Sequence, residues 1–277
     1  MSRELLDRRR VFMLAGALLF MSPVALAQDA AGSKAVEKAG EPIRQSAAAD
    51  AIEPASIEAL KAMGTYLAGL KDFEVKSEFE SQMALDNDQV IDIGGTTDYE
   101  VRRPDGLHAT VESELGSREF IYDGKNLTVV DADDKTYGVA GVAPTIKEML
   151  EQVGYHLGIQ LPLSDLFNFG TNDAAENIIT EGFLVSDAKV DGVPAKHWAY
   201  RTAGKDFEVW IQDGDKPLPL KLVILDDTIP ARPRFAANLE WTPEAEIAGT
   251  EFQYSPPEDF EEIGFVMQSA QTGEEKK

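Results

Sequence analysis

The 277-residue chain contains no cysteine. That absence excludes disulfides, thiolate metal sites, a cysteine nucleophile and lipid attachment through a cysteine. Histidine is scarce: His108, His156 and His197 are the only three and lie far apart. None stands at a metal-ligand spacing such as H-x-x-x-H or H-E-x-x-H, so each reads as an ordinary surface or capping residue. Basic side chains are also few, with 26 Lys and Arg against 49 Asp and Glu and a net charge of −23. Such a field repels phosphate backbones and anionic headgroups, which argues against nucleic acid and against electrostatic docking on membranes.

Motifs of common catalytic sites are missing as well. The sequence has no G-x-S-x-G elbow, no G-x-G-x-x-G and no Walker-type loop. Asp133-Asp134 and Asp226-Asp227 lack the D-x-D-x-D-G ladder of a calcium loop and read as turn chemistry. The expectation is therefore a protein with no catalytic residue, no metal ligand and no cofactor.

Long hydrophobic runs are absent too. The apolar stretch Val11–Met21 has eleven residues, where about 20 are needed to span a bilayer. Arg3, Arg8, Arg9 and Arg10 precede it, while Pro23 and Ala25-Leu26-Ala27 follow. A charged start, a short apolar core and an A-x-A end make residues 1–27 a secretory signal peptide cleaved after Ala27. Arg9-Arg10-Val11-Phe12-Met13 resembles a twin-arginine signal, but arginine pairs also occur in Sec signals, and Sec is the preferred route. Cleavage removes four arginines and two acidic residues, leaving an exported chain still more acidic, with no stable membrane anchor.

What remains divides by composition. Residues 28–54 are rich in Ala, Glu, Ser and Lys and contain no aromatic residue, so they read as a flexible leader. Residues 55–268 form the ordered domain, and 269–277 a polar, disordered tail. Within the domain, Ser56 is read as the cap of a helix to Leu70, with Ile57, Leu60, Met63, Leu67 and Leu70 on one stripe. Phe73 to Leu85 then alternates apolar and polar residues, the mark of a strand with one covered face. Thr97–Arg102, Leu107–Leu115, and the segments around Phe120, Leu127 and Tyr137 repeat the pattern as a meander of five or six antiparallel strands.

A helical insertion follows. Thr145-x-x-Glu148 is a capping box, and Ile146, Met149, Leu150 and Val153 form its apolar face. Leu163–Phe167 reads as a short second helix and Asp173–Ile179 as a third. Strands resume near Phe183 and continue through Trp241, with a last one at Phe252 and Tyr254 and a helical turn over Glu258–Ile263. The class is α+β: one large antiparallel sheet with helices at two places. Periodicity leaves two arrangements open, a plain filled core or helices acting as a lid over an apolar cleft.

Several runs carry a resemblance. Tyr99-Glu-Val-Arg-Arg-Pro-Asp-Gly-Leu107, Tyr122-Asp-Gly-Lys-Asn-Leu-Thr-Val129, Leu161-Pro-Leu-Ser-Asp-Leu166, Val190-Asp-Gly-Val-Pro194 and Trp210-Ile-Gln-Asp-Gly-Asp-Lys-Pro-Leu-Pro219 occur in order. They resemble the predicted periplasmic proteins catalogued as domain of unknown function 2092, over about residues 55–265. That family is similar to lipoprotein carriers of the LolA type. The resemblance implies a periplasmic, unclosed antiparallel β half-barrel whose concave apolar face is covered by helices. The locking arginine of those carriers has no recognisable counterpart, because Arg102 and Arg103 read as turn residues at a strand end.

The leading functional expectation is a non-enzymatic periplasmic binder or carrier of an apolar or amphiphilic ligand: a lipid, acyl chain or lipoprotein. Its lining would include Val75, Phe79, Met83, Tyr99, Val111, Ile146, Met149, Leu150 and Val153. The alternatives are an assembly module with a filled core that meets an envelope protein partner, and a hydrolase built from scattered Asp, Glu and His.

Overall fold

Alternation at period 2 builds most of this molecule. Phe73, Val75, Ser77 and Phe79 of β1 (Asp72–Ala84) are buried, while Lys76, Glu78 and Glu80 between them face water. A computed structural model describes residues 52–265 apart from 86, 88, 168 and 170–177. The signal peptide, most of the leader, the C-terminal tail and nearly all of the expected helix over Asp173–Ile179 lie outside the described residues.

Strand β1 continues into β2 (Val90–Arg102), β3 (Gly106–Ser113), β4 (Gly116–Tyr122), β5 (Asn126–Asp131) and β6 (Thr136–Gly141). A second meander comprises β7 (Glu181–Val190), β8 (Val193–Thr202), β9 (Lys205–Gln212), β10 (Pro219–Asp226) and β11 (Arg234–Pro243). Antiparallel pairing of β1 with β11 joins the two into one sheet. The order is β12-β6-β5-β4-β3-β2-β1-β11-β10-β9-β8-β7, where β12 is the two-residue strand Glu261–Glu262. Its ends, β7 and β12, do not pair with each other, so the sheet is the expected unclosed half-barrel rather than a barrel.

This order dictates what covers each face. Strands β6 and β7 are successive in sequence but lie at opposite ends of the sheet. The chain between them must therefore cross the inner face, the side bearing Phe73, Val75 and Tyr99. It does so with α2 (Ile146–Leu157), whose Ile146, Met149 and Val153 join the core. A 3-10 turn at Ser164–Phe167 follows. The helix α1 (Pro54–Gly69) covers the same face, burying Leu60, Met63 and Leu67. By the same logic the chain after β11, which starts at mid-sheet and ends beside β6, crosses the outer face as a strap. Ala245 N–H donates to the Asp72 carbonyl, Phe252 packs on Gly106, and Ile263 N–H donates to the Tyr137 carbonyl.

Several boundaries differ from the sequence reading. Ser56 does not cap α1. Pro54 occupies the first turn, where its missing N–H costs nothing, and the buried Ser56 hydroxyl donates to the Glu53 carbonyl at 2.7 Å. Ile52, assigned to the leader, already bridges to Gly182 of β7. The first half of β2 is unreadable in sequence because Gly94 and Gly95 interrupt its alternation. Phe252 lies in a 3-10 turn over Gly249–Phe252 rather than a strand. The expected helical turn over Glu258–Ile263 is a bend followed by β12, which pairs parallel with β6. At Thr145 the capping box forms: its hydroxyl accepts from Glu148 N–H at 3.3 Å and donates to the Glu148 carboxylate at 2.8 Å.

Gly95 is where sequence and packing meet most sharply. A Cβ there would fall 2.3 Å from the Glu112 carbonyl oxygen and 2.6 Å from the ring of Phe79. Neither the backbone nor a ring stacked 5.8 Å from Phe235 can move aside. Gly95→Ala is expected to destabilise the fold by about 3 kcal/mol, the upper end of overpacking costs, read as a lowered urea midpoint with unchanged slope.

Candidate functional site

The inner face is apolar across both meanders, and what lies on it decides what it can do. Beyond α2, Gly158 ends the helix in the left-handed conformation at φ 66°. The chain then drops onto the sheet as a plug over residues 159–167 and 169, with the 3-10 turn at its centre. Ile159, Leu161, Leu163, Leu166, Phe167 and Phe169 of this segment are all buried. Its backbone bonds are mostly local: Ile159 N–H reaches the Val153 carbonyl, Ser164 N–H that of Leu161, and Leu166 N–H that of Leu163. Among the described residues, the tie to the sheet is the Tyr99 hydroxyl, which donates to the Pro162 carbonyl. Leu163 sits at φ 63°, a conformation costly for a branched side chain. Among the described residues the plug is thus held by side-chain burial and local bonds rather than by a ladder of hydrogen bonds to the sheet.

Beneath it, Leu67, Phe73, Val75, Tyr99, Leu163 and Trp241 surround a cavity of about 10 Å³. That is room for one water-sized sphere and no acyl chain. Phe167 anchors the plug, with ring centroids 6.3 Å from Phe73 and 5.6 Å from Tyr99, the latter edge-on.

Arg103 lies in the turn after β2, as its position at a strand end suggests, and it also carries a charge into this apolar site. Arg103 lines the cavity, its guanidinium 5.7 Å from the Phe73 ring centre and 5.8 Å from that of Phe167. Its Nε is buried and has no hydrogen-bond partner among the described residues. Burial lowers its pKa from the usual arginine range, since desolvation disfavours the charged form. Alternation assigns Arg103 no face because it lies just past the end of β2.

A second charge lies in the plug itself. The Asp165 carboxyl is pushed up to about 6 by burial, against the opposing pull of Lys205, and its Oδ2 has no hydrogen-bond partner among the described residues. Lys205 is an inward-facing residue of β9 whose pKa burial lowers.

The nine sequence-named residues are not one constellation. Val75, Phe79, Tyr99 and Val111 are buried on the inner face, and Ile146, Met149 and Val153 are buried on α2. Leu150 packs half-buried at the edge of the core. Met83 stands apart: it is half-buried at the far end of β1 and outside the core cluster. Only Val75 and Tyr99 touch the cavity. Of the plug, Leu163–Phe167 reads in sequence as a short helix and forms a 3-10 turn at Ser164–Phe167, while Ile159, Leu161 and Phe169 carry no periodic signal.

Two histidines have partners that sequence spacing hides. His197 Nε2 lies 2.7 Å from Glu208, with its ring stacked 3.8 Å from Trp210 on the outer face. Neither His197 nor Glu208 lines the inner-face cavity or the cleft at Phe252. His108 lies 3.4 Å from Glu100, its direct cross-strand neighbour. The aspartate pairs serve turns as read: Asp131 accepts from Asp134 N–H at 3.0 Å, and Asp226 from Thr228 N–H at 2.9 Å.

Against known proteins, the family model described as "Predicted periplasmic protein (DUF2092)" matches residues 56–266. The chain belongs to this family. As a DUF2092 member it is a periplasmic protein, the compartment expected from its N-terminal sequence. None of its described helices is long and apolar enough to cross a membrane. No curated protein matches it. Among solved structures it is similar to the lipoprotein LppX of Mycobacterium tuberculosis, at 14% identity and a TM-score of 0.48, covering 70% of this chain and 98% of that one. An uncharacterized conserved protein from Thermus thermophilus gives 11% and 0.44, covering 76% and 99%. A LolA superfamily protein from Nitrosomonas europaea gives 7% and 0.36, covering 72% and 97%.

Proposed function

We propose that this DUF2092 protein is a non-enzymatic periplasmic carrier that accepts an apolar or amphiphilic ligand on the inner face of its sheet. The ligand class is a lipid, an acyl chain or the acyl end of a lipoprotein. The observation that carries the reading is the plug. Six large apolar side chains lie on the sheet without a backbone ladder, and an apolar chain of similar length could take their place. Burial contributes about 25 cal/mol per Å² whichever apolar surface supplies it, so exchange of plug for ligand is close to balanced. Arg103, with its unpartnered Nε, supports an anionic head at the mouth of the site.

Native mass spectrometry of the protein purified from its own periplasm tests the reading, with retained lipid the expected result. Titration with a fluorescent fatty acid adds the head-group test. Arg103→Gln is expected to weaken the fatty acid about tenfold or more while leaving its methyl ester unchanged, because a charge-assisted bond contributes about 1.5–3 kcal/mol. A bare protein mass together with no uptake of either probe would overturn the carrier.

The size of the cavity favours a second reading, an assembly module whose inner face is a filled core and whose sheet is a platform for an envelope protein. In that case neither ligand binds, and the plug is simply part of the core.

A further inference from the structure

The outer face holds a cluster that neither carrier nor platform uses. Glu100 of β2 and His108 of β3 face each other directly across the ladder, with Glu100 Oε2 3.4 Å from His108 Nδ1. On the other side of the imidazole, Glu119 of β4 lies 3.8 Å from Nε2. The strap then lays Glu251 over the pair. Ligand atoms of Glu100, His108 and Glu251 all fall within 4.8 Å of one another.

Glu100 and Glu119 stand at ion-pair distance from the imidazole, without a hydrogen bond to it among the described residues. Glu100 Oε2 and His108 Nε2 are both buried and have no hydrogen-bond partner, and the same holds for the hydroxyl of Tyr254, which Glu119 influences electrostatically. Three of the seven orphaned side-chain atoms among the described residues thus belong to this one corner. Buried polar atoms are nearly always satisfied, and a group of exceptions calls for a missing partner. A cation fits this corner, since it can take the place of the proton through which the imidazole otherwise meets its flanking carboxylates and can draw in Glu251 as well. The field of a chain carrying −23 net charge favours its arrival.

We propose that Glu100, His108 and Glu251 form a divalent transition-metal site that staples the C-terminal strap to the outer face of the sheet. An imidazole with two carboxylates suits zinc and its neighbours better than calcium or magnesium, which prefer all-oxygen shells. Tetrahedral zinc with bonds of about 2.0 Å holds its ligands roughly 3.3 Å apart, a contraction that side-chain rotation supplies because Glu251 is exposed on the strap. The fourth position faces Glu119 or water. The strap around Glu251 is otherwise anchored by Phe252, buried between Gly106 and the Arg102 guanidinium 4.5 Å from its ring. The metal would therefore act on an element already in place.

The test uses the mature chain, stripped with chelator and titrated calorimetrically with zinc chloride in the presence of excess magnesium. One saturable equivalent per chain is expected, together with slower amide exchange over residues 249–263. His108→Gln and Glu251→Gln should each weaken binding by at least about 100-fold, more than the usual cost of losing a supporting contact. Glu258→Gln, elsewhere on the strap, should leave it unchanged. Glu251→Gln keeps the test decisive if the His108 variant unfolds, since Glu251 is exposed. No saturable uptake, or uptake that survives Glu251→Gln or is abolished by magnesium, overturns the site.

Discussion

Phe167→Ala should make the protein less stable and, at the same time, better at taking up an acyl chain. Phe167 is buried against Phe73, Tyr99 and Arg103, and its ring fills the centre of the plug. Truncating a buried phenylalanine costs about 3–5 kcal/mol when the surroundings cannot collapse, and a sheet face held by neighbouring strands collapses poorly. In a carrier that loss falls on the closed state alone, because the open state has already released the ring. A shift of about 3 kcal/mol raises the open fraction roughly 100-fold or more, and apparent affinity follows the competent fraction. The vacated space is lined mostly by carbon, from Phe73, Tyr99 and Leu166, with the Arg103 guanidinium at its side, and so suits an acyl chain with an anionic end. Thermal melting and fluorescent fatty-acid titration read the two effects together. A filled-core platform predicts the loss of stability with no gain in uptake, which is the result that would sink displacement of the plug as the binding event.

The sheet is largely legible in sequence because alternation reports one covered face, as along β1 from Phe73 to Phe79 and along β3 from Leu107 to Val111. Alternation fails where a face is covered for a reason lying elsewhere in the chain. β5 buries Thr128 and Val130 on its outer side as well as Leu127 and Val129 within, because the strap arrives from β11. The last apolar pair, Phe252 and Tyr254, looks like one more strand for the same reason: each is apolar against the sheet, not within it. The functional groups are harder still. Arg103 lies beyond the end of a strand, where period carries no information. Glu100, His108 and Glu251 converge only through the register of β2 on β3 and the path of the strap, which no local spacing encodes. The connection from β6 to β7 is recognisable as helical and broken. Its position over the inner face follows from the strand order, in which successive strands occupy opposite edges.

The buried charge within the plug gives a second expectation. Asp165→Asn is expected to stabilise the protein at neutral pH and to slow ligand entry. Its carboxyl is raised to about 6 from 3.8, so the folded state holds the proton more tightly than the unfolded one. For a carboxyl raised in this way, stability falls as pH rises from about 4 to 6 and then stays at its lower level. The penalty is fully present above the folded pKa and gone below the unfolded one, opposite in sign to that of Asp206, which its bonds to Arg201 hold below the usual carboxylate range. Two units at about 1.4 kcal/mol each make it about 3 kcal/mol at pH 7.5. Since the group rides on the plug, the ionised carboxylate weakens the closed state where the plug must leave. The asparagine variant lacks that charge. Urea unfolding of both proteins should therefore show a gap of about 3 kcal/mol at pH 7.5 that closes by about pH 4, and stopped-flow uptake of fatty acid should be slower for the variant only at the higher pH. Equal uptake rates at pH 7.5 despite the stability gap would mean that Asp165 strains the fold without gating the inner face.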